Sequence, residues 1–178
     1  MANCDITKGR LGLECKNAVS GFKRIVLANY LSDSGFTYAS DVAEAQEMTS
    51  IGNIAEVFEY ETKNTGNSFA QTVTSNRDNG TTIWTQVMTF ILTKIDKEIE
   101  FQLKMAAWGR PFVFVQLMTN EWIILGSENG CEFSGQSGVA GAMDGLNGYT
   151  VTATAIERNP IYFLSSTAVT ELEALLNA

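Results

Sequence analysis

The chain has 178 residues, of which 45% are hydrophobic, with a net charge of −8, three cysteines and no histidine; this size and apolar content suit one domain with its own core. No apolar run approaches the roughly 20 residues of a membrane helix, and the opening MANCDITKGRLGLECK lacks the apolar block and small-residue cleavage site of a secretory signal. The expectation is a soluble protein made and kept in a cytoplasm, without Ser-His-Asp or Cys-His nucleophiles and without imidazole metal ligands.

Residues 1–21 show no clear period and read as an amino-terminal arm, followed by a β-rich domain over residues 22–178. The arm region is basic: residues 1–30 carry five Lys/Arg against Asp5 and Glu14, whereas residues 31–62 carry seven acids and no base. Such alternation favours head-to-tail contact between copies, and is equally compatible with a solvated acidic surface bearing basic arms. FKRIVLANY (22–30) reads as a strand. The following segment reads as a loop in which Asp41 caps a helical turn carrying Val42, Ala45 and Met48.

IAEVFEYET alternates in polarity, and with NSFAQTVTS beyond the turn-rich KNTGN it predicts a hairpin. NRDNG then turns into TTIWTQVMTFILTKI, with Trp84, Met88, Phe90 and Leu92 on one face and Ile83, Val87, Ile91 and Ile95 on the other. Asp96 is the expected cap of a helix KEIEFQLKMAAW, in which Ile99, Leu103 and Ala106 form one line and Phe101, Met105 and Trp108 widen its apolar flank. Gly109 and Pro111 end it. PFVFVQLM and EWIILG, turned at Thr119 and Asn120, predict a hairpin covered on both faces, with that helix as one cover.

Residues 126–148 hold seven glycines and predict a long loop interrupted by a short strand near Cys131–Ser134. In GYTVTATAIE, extended geometry puts Thr150, Thr152, Thr154 and Ile156 on one face and Tyr149, Val151, Ala153 and Ala155 on the other. A hydroxyl face needs water or polar partners, so it belongs at the protein surface or along an aqueous channel wall. Val169, Leu172 and Leu175 or Leu176 predict a short carboxy-terminal helix. The fold class is α+β, mainly β: a β-sandwich or partly closed barrel with one flanking amphipathic helix.

Cofactors and metals are not expected. Cys4, Cys15 and Cys131 lack CxxC spacing and read as free thiols. The glycine-rich stretch has no phosphate-loop pattern, and NRDNG and MDGLNG do not complete a calcium loop around Asp78 or Asp144. Nothing pairs Glu98 with Glu100 or Glu56 with Glu59 for glycoside hydrolysis, and Trp84, Trp108 and Trp122 read as core rather than a sugar platform. The chain therefore reads as a non-enzyme, and it lacks the clustered cations of a tight nucleic-acid binder.

CDITKGRLGLECKNAVSGFKRIVLANY, NGTTIWTQVMTFILTKIDKEIEFQLKMAAWGRPFVFVQ and GAMDGLNGYTVTATAIE together resemble small virion structural proteins of tailed bacteriophages. The order of hairpin strands, amphipathic helix, second hairpin and late Gly-Tyr-Thr strand is similar to the tail-tube and tube-like connector family. The resemblance spans most of the chain and carries no diagnostic chemical signature. It implies a homo-oligomeric ring, six-fold or of related order, of β-sandwich subunits in a virion, contacting neighbouring tail or neck proteins and passing DNA through its lumen. On that basis Thr150, Thr152 and Thr154 would line the lumen, while Lys8, Arg10 and Lys16 in the arm and Gly135, Gly138 and Gly141 in the glycine-rich segment would contact other subunits. The alternative from another class is a capsid-decorating or carbohydrate-binding module.

Overall fold

The computed structural model describes residues 9, 19–40, 46–62 and 65–177. In chain order these form β1 (Phe22–Ala28), β2 (Thr37–Tyr38), β3 (Glu47–Ser50), β4 (Val57–Tyr60), β5 (Ser68–Asn76), β6 (Thr81–Thr93), α1 (Lys97–Trp108), β7 (Phe112–Leu117), β8 (Trp122–Leu125), β9 (Glu132–Val139), β10 (Asn147–Glu157), β11 (Tyr162–Leu164) and α2 (Ser166–Leu176). A seven-stranded sheet runs β2-β3-β11-β8-β7-β1-β4 and a four-stranded sheet runs β5-β6-β10-β9. The fold is thus α+β and mainly β, and neither sheet closes into a barrel.

The apolar runs explain the layering. Phe112, Phe114, Trp122 and Ile124 on one face of the seven-stranded sheet pack with Ala168 and Leu172 of α2, while Val113, Val115, Ile123 and Leu125 on the other face join Met88, Phe90, Val151 and Ala153 of the four-stranded sheet. A strand buried on both faces has no place for alternating polarity, hence the continuous apolar sequences of β7 and β8. Strands of the four-stranded sheet bury one face only, and they alternate: Met88, Phe90 and Leu92 of β6 are buried, and Val87, Thr89 and Ile91 between them are half-buried.

The expected helix forms where Asp96 places it. The Glu98 N–H donates to Asp96 Oδ1 at 2.8 Å, and the Gly109 N–H closes the last turn on the Met105 carbonyl. Yet α1 does not cover the β7–β8 hairpin. It contains no buried residue and rests Ile99 and Leu103 against the margin of the inter-sheet core, while the apolar flank of Phe101, Met105 and Trp108, expected to widen its contact, stays exposed. The cover is α2, capped by Ser165, whose Ala168 and Leu172 are fully buried.

Other expectations are corrected by pairing. The segment around β4 does not form a hairpin with β5: β4 pairs with β1 in one sheet, while β5 pairs with β6 in the other. Local alternation identified both strands, but their partners are set by which core each face joins. Residues 41–45 lie outside the described residues, and Met48, assigned to a helical turn there, is a buried residue of β3, which pairs in parallel with β11. The short strand expected near Cys131–Ser134 is the eight-residue β9, laddered along β10, so its glycines sit in a sheet and not in a long loop. Gly135 has a specific reason: a side-chain carbon there would lie 2.6 Å from the Thr150 carbonyl oxygen. The strand ending in β6 stops before Ile95, because Lys94 adopts φ 68°.

Replacing Leu172 by Ala should cost about 2–5 kcal/mol of folding stability, whereas the half-buried Leu103 should cost only about 1–2 kcal/mol. Denaturant unfolding of the two variants checks this order, and equal losses would place the main helical cover at α1 after all.

Candidate functional site

The solvent face of the four-stranded sheet is built by register. Thr152 stands opposite Thr89, which stands opposite Ser68, and on the other side opposite Ser134. Thr154 aligns with Val87, Ala70 and Glu132, and Thr150 with Ile91 and Gln136. The hydroxyls of Thr89 and Thr152 meet at 3.2 Å, and Ser134 Oγ donates to the Thr152 carbonyl at 3.5 Å. Thr150, Thr152 and Thr154 are thus on one half-buried face, as the alternation requires. Across all four strands this face holds no Lys or Arg, and Glu132 is its one charged side chain.

Two edges bound the face, β5 and β9, each paired on one side only among the described residues. Beyond Trp84, opposite which β10 ends, the β5–β6 hairpin continues alone, with Thr74 opposite Ile83 and Asn76 opposite Thr81, all exposed. A lone two-stranded ribbon is marginal in water. Asn76 Oδ1 accepts from the Asp78 and Asn79 N–H groups and stiffens its tip.

Of the residues expected at subunit contacts, Gly135 is explained within the chain by its close approach to β10. Side-chain carbons at Gly138 and Gly141 would meet nothing within 4 Å, so neither glycine is required by this subunit's own packing. Lys8, Arg10 and Lys16 lie outside the described residues, as do Cys4 and Cys15. The three tryptophans do not form a platform: Trp84 is on β6, Trp122 is buried on β8, and Trp108 is exposed on α1 under Lys104. Among the described residues no group of three or more Cys, Asp or Glu could hold a metal ion, and no helix is long and apolar enough to cross a membrane.

A buried polar knot braces the face from behind. Glu157 accepts from the Glu128 and Asn129 N–H groups at 3.3 and 3.0 Å, and Gln86 Oε1 accepts from the Gly126 N–H at 3.2 Å. These bonds fasten the 126–131 turn to β10 and β6. Desolvation by burial raises the Glu157 carboxyl above the usual carboxylate range, outweighing its two backbone bonds. Burial also pushes the Cys131 thiol up, away from thiolate chemistry. At the other end of β10, Tyr149 Oη accepts from the Asp96 N–H at 3.1 Å and donates to the Asp96 carbonyl at 3.0 Å, fixing the start of α1.

Comparison with protein-family models, curated proteins and solved structures gives no match. The functional reading therefore rests on this chain's own surfaces. Sequence reasoning found the threonine face through its period of two and the NRDNG turn that joins β5 to β6, but missed the sheet edges, which only pairing defines.

Because the folded pKa of Glu157 lies above its unfolded value, its favourable contribution is complete below the ordinary glutamate range and is lost as pH rises through the raised value. The stability of the wild type relative to Glu157→Gln should therefore fall as pH rises across that interval, measured by paired denaturant melts; a pH-independent difference would contradict it. Cys131 should resist a thiol reagent in the native protein and react once the chain is unfolded, and rapid native labelling at Cys131, located by peptide mapping, would show that the turn opens.

Proposed function

We propose that this chain is the structural subunit of a phage tail tube or neck/connector ring, a β-sandwich whose four-stranded sheet turns its threonine face toward a lumen that passes DNA. The observation that carries the reading is a hydroxyl-rich sheet face that, among the described residues, is uncovered, holds no cation and is bounded by two strands each paired on one side only. Edges of this kind invite strand addition from another chain. Head-to-tail joining of β9 to the β5 of the next copy would make a heterologous contact that closes into a ring if the rotation per subunit allows, as a hexamer or another order.

The chemistry of the face suits passage of a polyanion. Each Lys or Arg along the path would add a salt-sensitive hold on phosphate, and the face offers hydroxyls, one carboxylate and no cation. The projecting β5–β6 hairpin gains a partner if it reaches a neighbouring ring or another tail or neck protein. Gly138 and Gly141, open to solvent near the β9 edge, are suited to close approach by a neighbour's backbone. On this reading the protein belongs to the virion, and it carries out no catalysis.

Negative-stain microscopy of the purified chain should show rings or tubes with a central pore. A small particle that instead binds members of a glycan panel would replace this reading with a decorating or carbohydrate-binding module. The face is tested separately by Thr150→Lys, Thr152→Lys and Thr154→Lys together. The rings should persist and acquire salt-sensitive DNA retention that the wild type lacks, whereas loss of rings would put the threonine face at a subunit contact and not in the lumen.

A further inference from the structure

The loop that joins β9 to β10 departs from ordinary loop chemistry. Solvent loops are polar, yet in VAGAMDGL, residues 139–146, Asp144 is the only polar side chain. Met143 is fully exposed and Val139 is 71% exposed. The loop is closed on itself: the Ala140 N–H donates to the Leu146 carbonyl at 2.8 Å, and the Gly145 N–H to the Ala142 carbonyl at 3.0 Å. A side-chain carbon at Gly145 would lie 2.3 Å from Ala140 Cβ, so the turn is packed as well as bonded. The result is a short apolar knob with one negative charge.

A groove of matching character lies where the residues after β1, the strand β4 and the last turns of α1 meet. Its volume is about 640 Å³, within the roughly 300–1,000 Å³ of ordinary binding clefts. Tyr30, Phe58, Tyr60, Met105 and Trp108 line it, and Trp108 is 72% exposed. Arg110 is the one charged residue of this lining, whereas Glu59 and Glu61 line the adjoining groove. The Arg110 guanidinium lies 4.5 Å from the Tyr30 ring centroid and meets no carboxylate among the described residues. We infer that the loop 139–146 of one copy seats in this groove of a second copy, with Met143 against the Tyr30, Phe58 and Trp108 rings and Asp144 paired with Arg110. A thioether against aromatic rings is favourable, and the unbranched methionine chain adapts to an irregular cleft.

The same chain cannot make this contact. The Lys94 N–H donates to the Asn147 carbonyl at 2.6 Å and the Ile95 N–H to Asn147 Oδ1 at 3.4 Å, which tethers the base of the loop beside the start of α1. The groove lies at the other end of that helix, by Met105, Trp108 and Arg110, and its 12 residues span roughly 18 Å. A loop of residues 140–146 folded on itself does not cover that distance. Knob and groove therefore sit at opposite ends of α1, so the contact is head-to-tail and repeats from copy to copy. A second copy is the indicated occupant, since its knob supplies both the apolar side chains and the single carboxylate that the groove lacks. The inference rests on the assembly reading and names one of its contacts.

The test uses the full chain. Met143→Ser and Asp144→Arg change exposed side chains and should leave thermal melting unchanged, while each weakens association at least about tenfold in sedimentation. Arg110→Asp should do the same. An equimolar mixture of the Asp144→Arg and Arg110→Asp forms should regain wild-type association, because each loop then finds a groove of opposite charge. A Met143→Ser form that associates normally, or a mixture no better than its components, would overturn the docking; if Arg110→Asp lowers the melting temperature, the Met143→Ser comparison decides alone. A wild type that sediments as a single chain would overturn docking and ring alike. Pored rings that assemble and stack identically with and without Met143 would remove the docking and leave the ring. Association that depends on Met143 and Asp144 but never yields a pored particle would remove the ring and leave the docking.

Discussion

Two-sided burial of the β7–β8 hairpin is the constraint on which the rest of the structure depends. Val113, Val115, Ile123 and Leu125 face one way, Phe112, Phe114, Trp122 and Ile124 the other, and all are nearly inaccessible. Strands this apolar must be covered on both faces, so a second sheet and a helix have to be supplied from elsewhere in the chain. Each cover then inherits a polar outer surface. The four-stranded sheet spends its one apolar face on the hairpin, leaving its threonine face to solvent, and α2 turns Ala168 and Leu172 inward.

The polar contacts work at the seams between these layers. Arg24 ties β1 to β4 and α2 through Glu59 at 2.6 Å and Glu173 at 2.7 Å, and its hydrogen bond holds the Glu59 carboxyl below the usual range. Glu157 and Gln86 fasten the 126–131 turn, and Tyr149 fastens α1. At Gly130, φ is 74° and a side-chain carbon would fall 2.2 Å from the Arg110 carbonyl oxygen, so glycine lets that turn press against the end of α1. The polar ties lie behind the threonine face, while the sheet edges, the exposed flank of α1 and the projecting hairpin have no partner among the described residues. That division suits a subunit whose stability is internal and whose contacts are peripheral.

Much of this was legible locally. The period of two in GYTVTATAIE assigned both faces of β10, the apolar run PFVFVQLM declared a doubly covered strand, and Asp96 and Gly109 bounded α1. Where reading failed, the competing force was tertiary. Glycines at 135 and 138 argue against a strand, but the ladder offered by β10 outweighs their propensity and builds β9. The acidic alternating segment around β4 looks like half of a hairpin with the strand that follows it, yet the core on each side sends the two into different sheets.

The sequence by itself determined the two helices and the longer strands β1, β5 to β8 and β10, the apolar and hydroxyl sides of β10, and the lack of any histidine, because backbone sterics, side-chain alternation and residue identity are local properties. Only the tertiary structure decided that α2 and not α1 seals the seven-stranded sheet, that β4 pairs with β1, and that β4, β5 and β9 end as sheet edges among the described residues. Those outcomes depend on competition among distant apolar surfaces for the same two faces of one hairpin, and no single stretch of the chain contains the terms of that competition.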